Sequence, residues 1–152
     1  MLKNFLRLLP VMAFALAAAL PAPAAAAGGG GGTPITVSIG AAKVQSKILV
    51  TVPVTIQCAA PLAGQPLGFG EVNVFIEQAY GKSVSHGSGG VVFFFCPASP
   101  QTVDVIVTPD LYPTPSTAFH GGPAIGTANA FAQDPTGTVF GSGAIGPIPI
   151  KL

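Results

Sequence analysis

"ILVTVPVTIQC", residues 48–58, is the stretch on which the fold turns. Ile48, Val50, Val52, Val54, Ile56 and Cys58 occupy alternate positions, with Thr51, Pro53, Thr55 and Gln57 between them. Side chains alternate across a strand with period two, so the stretch predicts a half-buried β-strand whose cysteine points into a core. Pro53 has no N–H to give to a ladder, which predicts an edge strand or a bulge at mid-strand.

Outward from this segment the same period recurs. Val72, Val74 and Ile76 share a face within 71–80, as do Val103, Val105 and Val107 within 101–108. Residues 35–39, 126–133 and 138–145 are further strand candidates, set apart by turn-rich stretches such as "APLAGQPLGFG", "YPTPST" and "DPTG". No window sustains a helical stripe, and a parallel sheet would need long helical crossovers. The pattern therefore predicts an all-β domain of seven to nine strands, arranged as an antiparallel sandwich. The 20 glycines and 16 prolines could signal disorder, but Leu, Ile, Val and Phe occur in patterned runs that a core can use. Glycine and proline then read as punctuation between strands.

Residues 1–27 read as an export signal. Lys3 and Arg7 open it, residues 8–20 are almost wholly apolar, and Ala24, Ala25, Ala26 and Ala27 offer small-residue cleavage sites. The apolar run is short for a membrane span. The domain organisation that follows is a cleaved leader over 1–27, a flexible glycine-rich segment over 28–34, and one domain over 35–152. Neither a lipid-anchor cysteine nor a twin arginine accompanies the leader, which points to the general secretion route of a bacterium, with a secreted or envelope location. No membrane span is expected once the leader is gone.

After the leader the chain keeps four lysines against five carboxylates, a net charge of −1, and no arginine. Scattered lysines make no basic face for phosphates, which argues against nucleic acid, and no polybasic patch for anionic lipid. An outer-membrane barrel shares the alternating signature, but only Tyr80 and Tyr112 could furnish interfacial girdles, the strands are short, and Pro53 interrupts a ladder.

Cys58 and Cys96, 38 positions apart in an exported chain, most simply form one disulfide; no second cysteine pair or histidine pair stands at metal-ligand spacing, so no metal is expected. His86 and His120 sit in the glycine-rich stretches "SVSHGSGG" and "TAFHGGPA", which read as turns. With Asp104 or Asp110 and Ser85 or Ser88 they offer the residue types of a Ser-His-Asp relay, though no spacing favours one. Glu71 and Glu77 raise the question of paired glycosidase carboxylates, but they share the polar face that a sheet needs anyway. "GSGAIG", residues 141–146, matches G-x-G-x-x-G without room for the helix that a pyrophosphate site requires. The expectation is a chain with no catalytic residues and no cofactor.

"GGVVFFFCPAS", residues 89–99, carries the one conspicuous apolar run outside the leader. If Cys96 points inward, alternation sends Phe94 and Val92 inward and leaves Val91, Phe93 and Phe95 on the other face. That face is either covered by the proline-rich connection at 111–119 or exposed as a patch for a partner or a second copy.

The order of features, a leader, "VTVPVTIQC" ending in Cys58, "VNVFIEQ", "FFFC" and the late "GTANAFAQ", resembles small exported bacterial proteins with an immunoglobulin-like sandwich and a single cystine. The resemblance implies an immunoglobulin-like sandwich and a non-catalytic extracellular role. The chain departs from antibody-type domains in lacking tryptophan and in running about fifty residues beyond Cys96. Its richness in Ala, Gly, Val and Thr is also similar to the antitumour chromoprotein apoproteins, which hold an apolar ligand between loops; their usual second disulfide has no counterpart here. Two functions follow as expectations. The first is a secreted module that binds a partner or joins a surface assembly through Val91, Phe93 and Phe95. The alternative is a carrier of a small apolar ligand, in a cleft lined by Phe69, Phe119, Phe131 or Phe140.

Overall fold

The computed structural model describes residues 32–111 and 116–152. The leader expected at 1–27 and residues 28–31 of the expected glycine-rich segment lie outside the described residues. Eight strands follow in order: β1 (Thr33–Ile39), β2 (Lys43–Ser46), β3 (Leu49–Cys58), β4 (Phe69–Tyr80), β5 (Ser83–Val92), β6 (Gln101–Pro109), β7 (Pro123–Gln133) and β8 (Phe140–Lys151). The all-β expectation holds. The sandwich does not: seven strands close into a barrel in the order β1-β8-β7-β4-β5-β6-β3, with β3 returning to β1 and the short β2 attached to β3. Neighbours run antiparallel except β1 and β8, which meet in parallel at Thr33↔Gly141 and Pro34↔Ser142.

Alternation cannot tell a sandwich from a barrel, because both send every second side chain inward. What decides is whether the sheet edges meet, and here glycines let them. The β5–β6 seam is only two residue pairs long, Gly87↔Pro109 and Ser88↔Thr108. A Cβ on Gly87 or Gly89 would overlap the carbonyl oxygen of Thr108 or Ile106. At the β8–β1 seam a Cβ on Gly143 would overlap the Ile35 carbonyl oxygen, and one on Gly141 would lie 2.7 Å from that of Thr33. Main chains thus cross at both corners at distances no side chain permits. The "GSGAIG" stretch finds its role here, as the start of β8.

The same effect explains an element that the sequence conceals. "SVSHGSGG" reads as a turn but forms most of β5, paired with β4 from Glu71↔Val92 to Tyr80↔Ser83. Its glycines face the β6 main chain and leave room for the Asn73 amide beside Gly90. Pro53 is likewise reassigned. Strand β3 is neither an edge strand nor bulged there, since it pairs with β6 through Pro53↔Asp104 and with β1 and β2 on its other side. Pro53 sits in the gap between β2 and β1, where its carbonyl accepts from the Gly40 N–H at 2.8 Å and its missing donor has no partner to fail.

Inside the barrel, Val50, Val52, Val54, Ile56, Val72, Val74, Ile76, Val105 and Val107 meet the small wall of Ala124, Ala128, Ala130 and Ala132 from β7. Large side chains from three strands against alanine from a fourth fill a narrow interior. Phe119 and Leu62, each 1 % exposed, are also buried in this core. Apolar inside with Thr51, Thr55, Gln57 and Asp104 outside is the reverse of a transmembrane barrel, whose apolar band faces lipid. No helix among the described residues is long and apolar enough to cross a membrane.

Cys58 and Cys96 form the expected disulfide, with Cα atoms 5.8 Å apart, and both are buried. Such bonds persist in oxidising compartments.

Candidate functional site

The disulfide marks one pole of the barrel. Strands β3, β5 and β7 end there and β1, β4, β6 and β8 begin there. Residues just before Cys96 are laced to the β3–β4 connection by main-chain bonds: Phe93 N–H to the Gly70 carbonyl (2.9 Å), Leu67 N–H to that of Phe94 (2.9 Å), Cys96 N–H to that of Gln65 (3.0 Å) and Gly64 N–H to that of Cys96 (2.8 Å). Cys58 N–H donates to the Pro97 carbonyl at 2.8 Å.

This lacing corrects the assignment of faces in "VVFFFC". Strand β5 stops at Val92 and the chain bends at Phe94, so the parity counted backwards from Cys96 is lost. Val91 and Phe93 are half-buried and pack on the core. Val92 and Phe94, expected inside, are exposed, Phe94 at 68 %. Phe95 is exposed at 54 % and bridges Pro66. The described part of the 111–119 connection covers none of them: Ser116 and Thr117 bond to β5 at His86 and Ser85, toward its other end, and the Phe119 N–H donates to the Lys47 carbonyl. Residues 112–115 of that connection lie outside the described residues.

The phenylalanines expected to line an internal cleft are separated. Phe119 is inside the core beside Gly87. Phe69, Phe131 and Phe140 stand on the outer surface at the disulfide pole, each 39 to 47 % exposed. Phe69 and Phe131 lie on neighbouring strands with ring centroids 6.4 Å apart and tilted by 43°. Phe140 pairs through Gln133, itself the partner of Phe69, so the three rings share one end of the β4–β7–β8 surface. Phe94 lies alongside the Leu67 and Gly70 segment that carries Phe69. Among the described residues six phenylalanines are strongly exposed, and only Phe75 lies away from this pole.

Clefts stand at both poles. At the disulfide pole a cleft of about 280 Å³ is lined by Pro61, Leu62, Gln65, Pro66, Asp134, Pro135 and Val139. Asp134 organises its wall by accepting from the Thr136 hydroxyl and from the Thr138 and Val139 N–H groups at 2.8 and 2.9 Å. The Thr136 hydroxyl first, then the Val139 N–H, hold its pKa at about 2, below the ordinary 3.8. A folded pKa below the unfolded one means that this anchoring is complete above pH 3.8 and is lost as pH falls toward 2. NMR titration of the Thr138 and Val139 amides should therefore show a midpoint near 2 that Asp134→Asn abolishes. At the opposite pole a more apolar cleft of about 320 Å³ is lined by Ile48, Thr108, Pro109, Leu111, Ser116 and Ala118.

The polar residues that suggested chemistry are dispersed. Ser85 Oγ is shared with Thr117 and donates to the Ala118 carbonyl, and Ser88 Oγ donates to Asp110 at 2.7 Å. His120 stacks on Tyr80 with centroids 4.1 Å apart, while its main chain is clasped by the buried Gln78 amide through bonds of 2.7 and 2.9 Å. Glu71 and Glu77 lie on one strand, roughly 20 Å apart at strand rise, beyond the span of a glycosidase pair. Among the described residues no group of three His, Cys, Asp or Glu side chains is placed to hold a metal ion.

The chain matches no family model, no curated protein and no solved structure. The geometry just described is therefore the ground on which a function can be argued. Sequence reading singled out residues 91–95 but misassigned their faces, and it placed Phe69, Phe131 and Phe140 in an internal cleft rather than on the outer surface at the same pole. Each stands out of step with the alternate positions that its strand buries, even-numbered in β4 and β7 and odd-numbered at the start of β8, and that was the available signal.

Proposed function

We propose that this protein is an exported, non-catalytic β-barrel module that docks a partner, or packs into an extracellular assembly, through the phenylalanine surface at its disulfide pole. One observation carries the reading: five exposed phenylalanines gather at one pole of a barrel whose interior is already filled. Contiguous exposed apolar surface marks interaction sites. Export is supported by the leader-like residues 1–27 and by the cystine.

The test is dye binding by the exported protein. An apolar fluorescent dye should bind, and the paired change Phe94→Ser with Phe131→Ser should remove most of the signal while Phe75→Ser leaves it. Equal signal in all three proteins would refute the reading.

A second reading, a carrier of a small apolar ligand, is favoured by the cleft beside Ile48 and Leu111, whose volume of about 320 Å³ is near the lower bound for small-molecule sites. Copurification of an apolar compound that shifts the Ile48 and Leu111 methyl resonances would support it.

A further inference from the structure

We propose that the cleft at the pole opposite the disulfide binds a small apolar anion, an aliphatic carboxylate whose chain lies on Ile48 and Leu111 and whose head group meets Lys47. This rests on the carrier reading of that cleft and names the chemistry of its ligand.

The cleft is built before any ligand arrives. One wall is the turn between β2 and β3, Lys47 and Ile48, and the others are the end of β6 and the segment from Ser116 to Phe119. Main-chain bonds hold these walls together. The Phe119 N–H donates to the Lys47 carbonyl at 2.9 Å, the Ser116 N–H to that of Asp110 at 2.7 Å, and the Asp110 N–H to that of His86 at 3.0 Å. The Phe119 ring, 1 % exposed, anchors the segment in the core. Walls fixed in advance lower the ordering cost of binding.

Its rim is apolar and unburied. Leu111 is 81 % exposed, more than any other large apolar side chain among the described residues, and Ile48 is 64 % exposed. The Ser116 hydroxyl is already engaged, accepting the His86 N–H at 2.6 Å and donating to the Thr117 carbonyl. The lining is thus mostly aliphatic side chain and proline ring, which suits a hydrocarbon chain.

Charge selects the head group. Lys47 is exposed and directly precedes the cleft-lining Ile48, and its carbonyl holds the segment that carries Ala118. A flexible stem from that position brings the ammonium within reach of the cleft mouth. Lys82, in the turn before β5, and Lys151, at the end of β8, stand at the same pole. Against these cations are Asp110, whose carboxylate accepts from the Ser88 hydroxyl on β5 at 2.7 Å, and Glu77, farther along β4 and in register with His86. Glu71 and Asp134 lie at the disulfide pole. Such a distribution draws an anion toward the Ile48–Leu111 end of the barrel, and low-dielectric walls strengthen its contact with a cation there. A neutral alcohol of the same chain lacks that contact.

The experiment titrates the disulfide-bonded protein with decanoate, decanol and decyltrimethylammonium, each below its micelle-forming concentration, and follows the Ile48 and Leu111 methyl resonances. Decanoate is expected to bind at least about fivefold more tightly than decanol, an advantage that shrinks in high salt, and decyltrimethylammonium is expected to bind most weakly. Lys47→Gln should bring decanoate to within about twofold of decanol and leave decanol unchanged, while Leu111→Ser should weaken both about fivefold. Both side chains are exposed, so an unchanged unfolding midpoint in each variant separates loss of binding from loss of fold. Decanol that binds as tightly as decanoate, or decanoate affinity indifferent to Lys47→Gln, overturns the proposal and leaves the carrier reading in place. Ile48 and Leu111 methyls that respond to none of the three compounds remove both.

Discussion

Gly143→Ala is expected to unfold the barrel or lower its stability by about 3 kcal/mol or more, although it adds a single methyl group. The new Cβ would overlap the Ile35 carbonyl oxygen, part of a main chain that β1 holds in place through five residue pairs with β3. A flexible side chain could move aside, but a strand fixed on its other edge cannot. Gly89→Ala should behave alike at the second seam, against the Ile106 carbonyl. Gly121→Ala is the control: its nearest neighbour would be the Leu152 oxygen at 3.9 Å, so a change within about 0.5 kcal/mol is expected. Urea unfolding midpoints of the three variants check this. Midpoints that coincide with the parent protein would mean that the seams do not constrain the fold, and that the strands lie in two open sheets.

Loss of the disulfide is expected to have the largest effect. Cys58→Ala with Cys96→Ala should cost about 4 kcal/mol, the chain-entropy value for a 38-residue separation, and lower the melting temperature by roughly 15 °C. The loss should concentrate at the aromatic pole, because the bond anchors the segment that also crosses to Gln65, Leu67 and Gly70. Hydrogen exchange at the Phe93, Cys96 and Leu67 amides should therefore accelerate more than at Val52 or Val74, which lie in the middle of long ladders. Mass spectrometry of the protein recovered without reductant should find no free thiol. Two free thiols, or a double variant within 1 kcal/mol of the parent, would show that the pole is held by packing alone.

How much of this was legible varied by segment for a physical reason. Strands β3, β4 and β6 announce themselves because β-branched residues recur at every second position and those positions face the core, buried throughout except for the half-buried Val103. Strand β5 could not announce itself, because glycine carries no hydropathy signal and its role is to let another main chain approach. Strand β2, four residues with one half-buried valine, falls below any pattern. In the candidate site, alternation failed at Phe93 and Phe94 because period two applies only while the strand continues, and β5 ends at Val92.

By itself the sequence determined that the chain is all-β, that Cys58 and Cys96 pair, and which side chains of the long strands form the core, since burial of every second residue is a local demand. Only the tertiary structure decided that the sheet closes into a seven-stranded barrel and that five phenylalanines converge at one pole. Both outcomes depend on which distant main chains meet at Gly87, Gly89, Gly141 and Gly143, and a residue that acts by the absence of a side chain leaves no trace in a hydrophobic pattern.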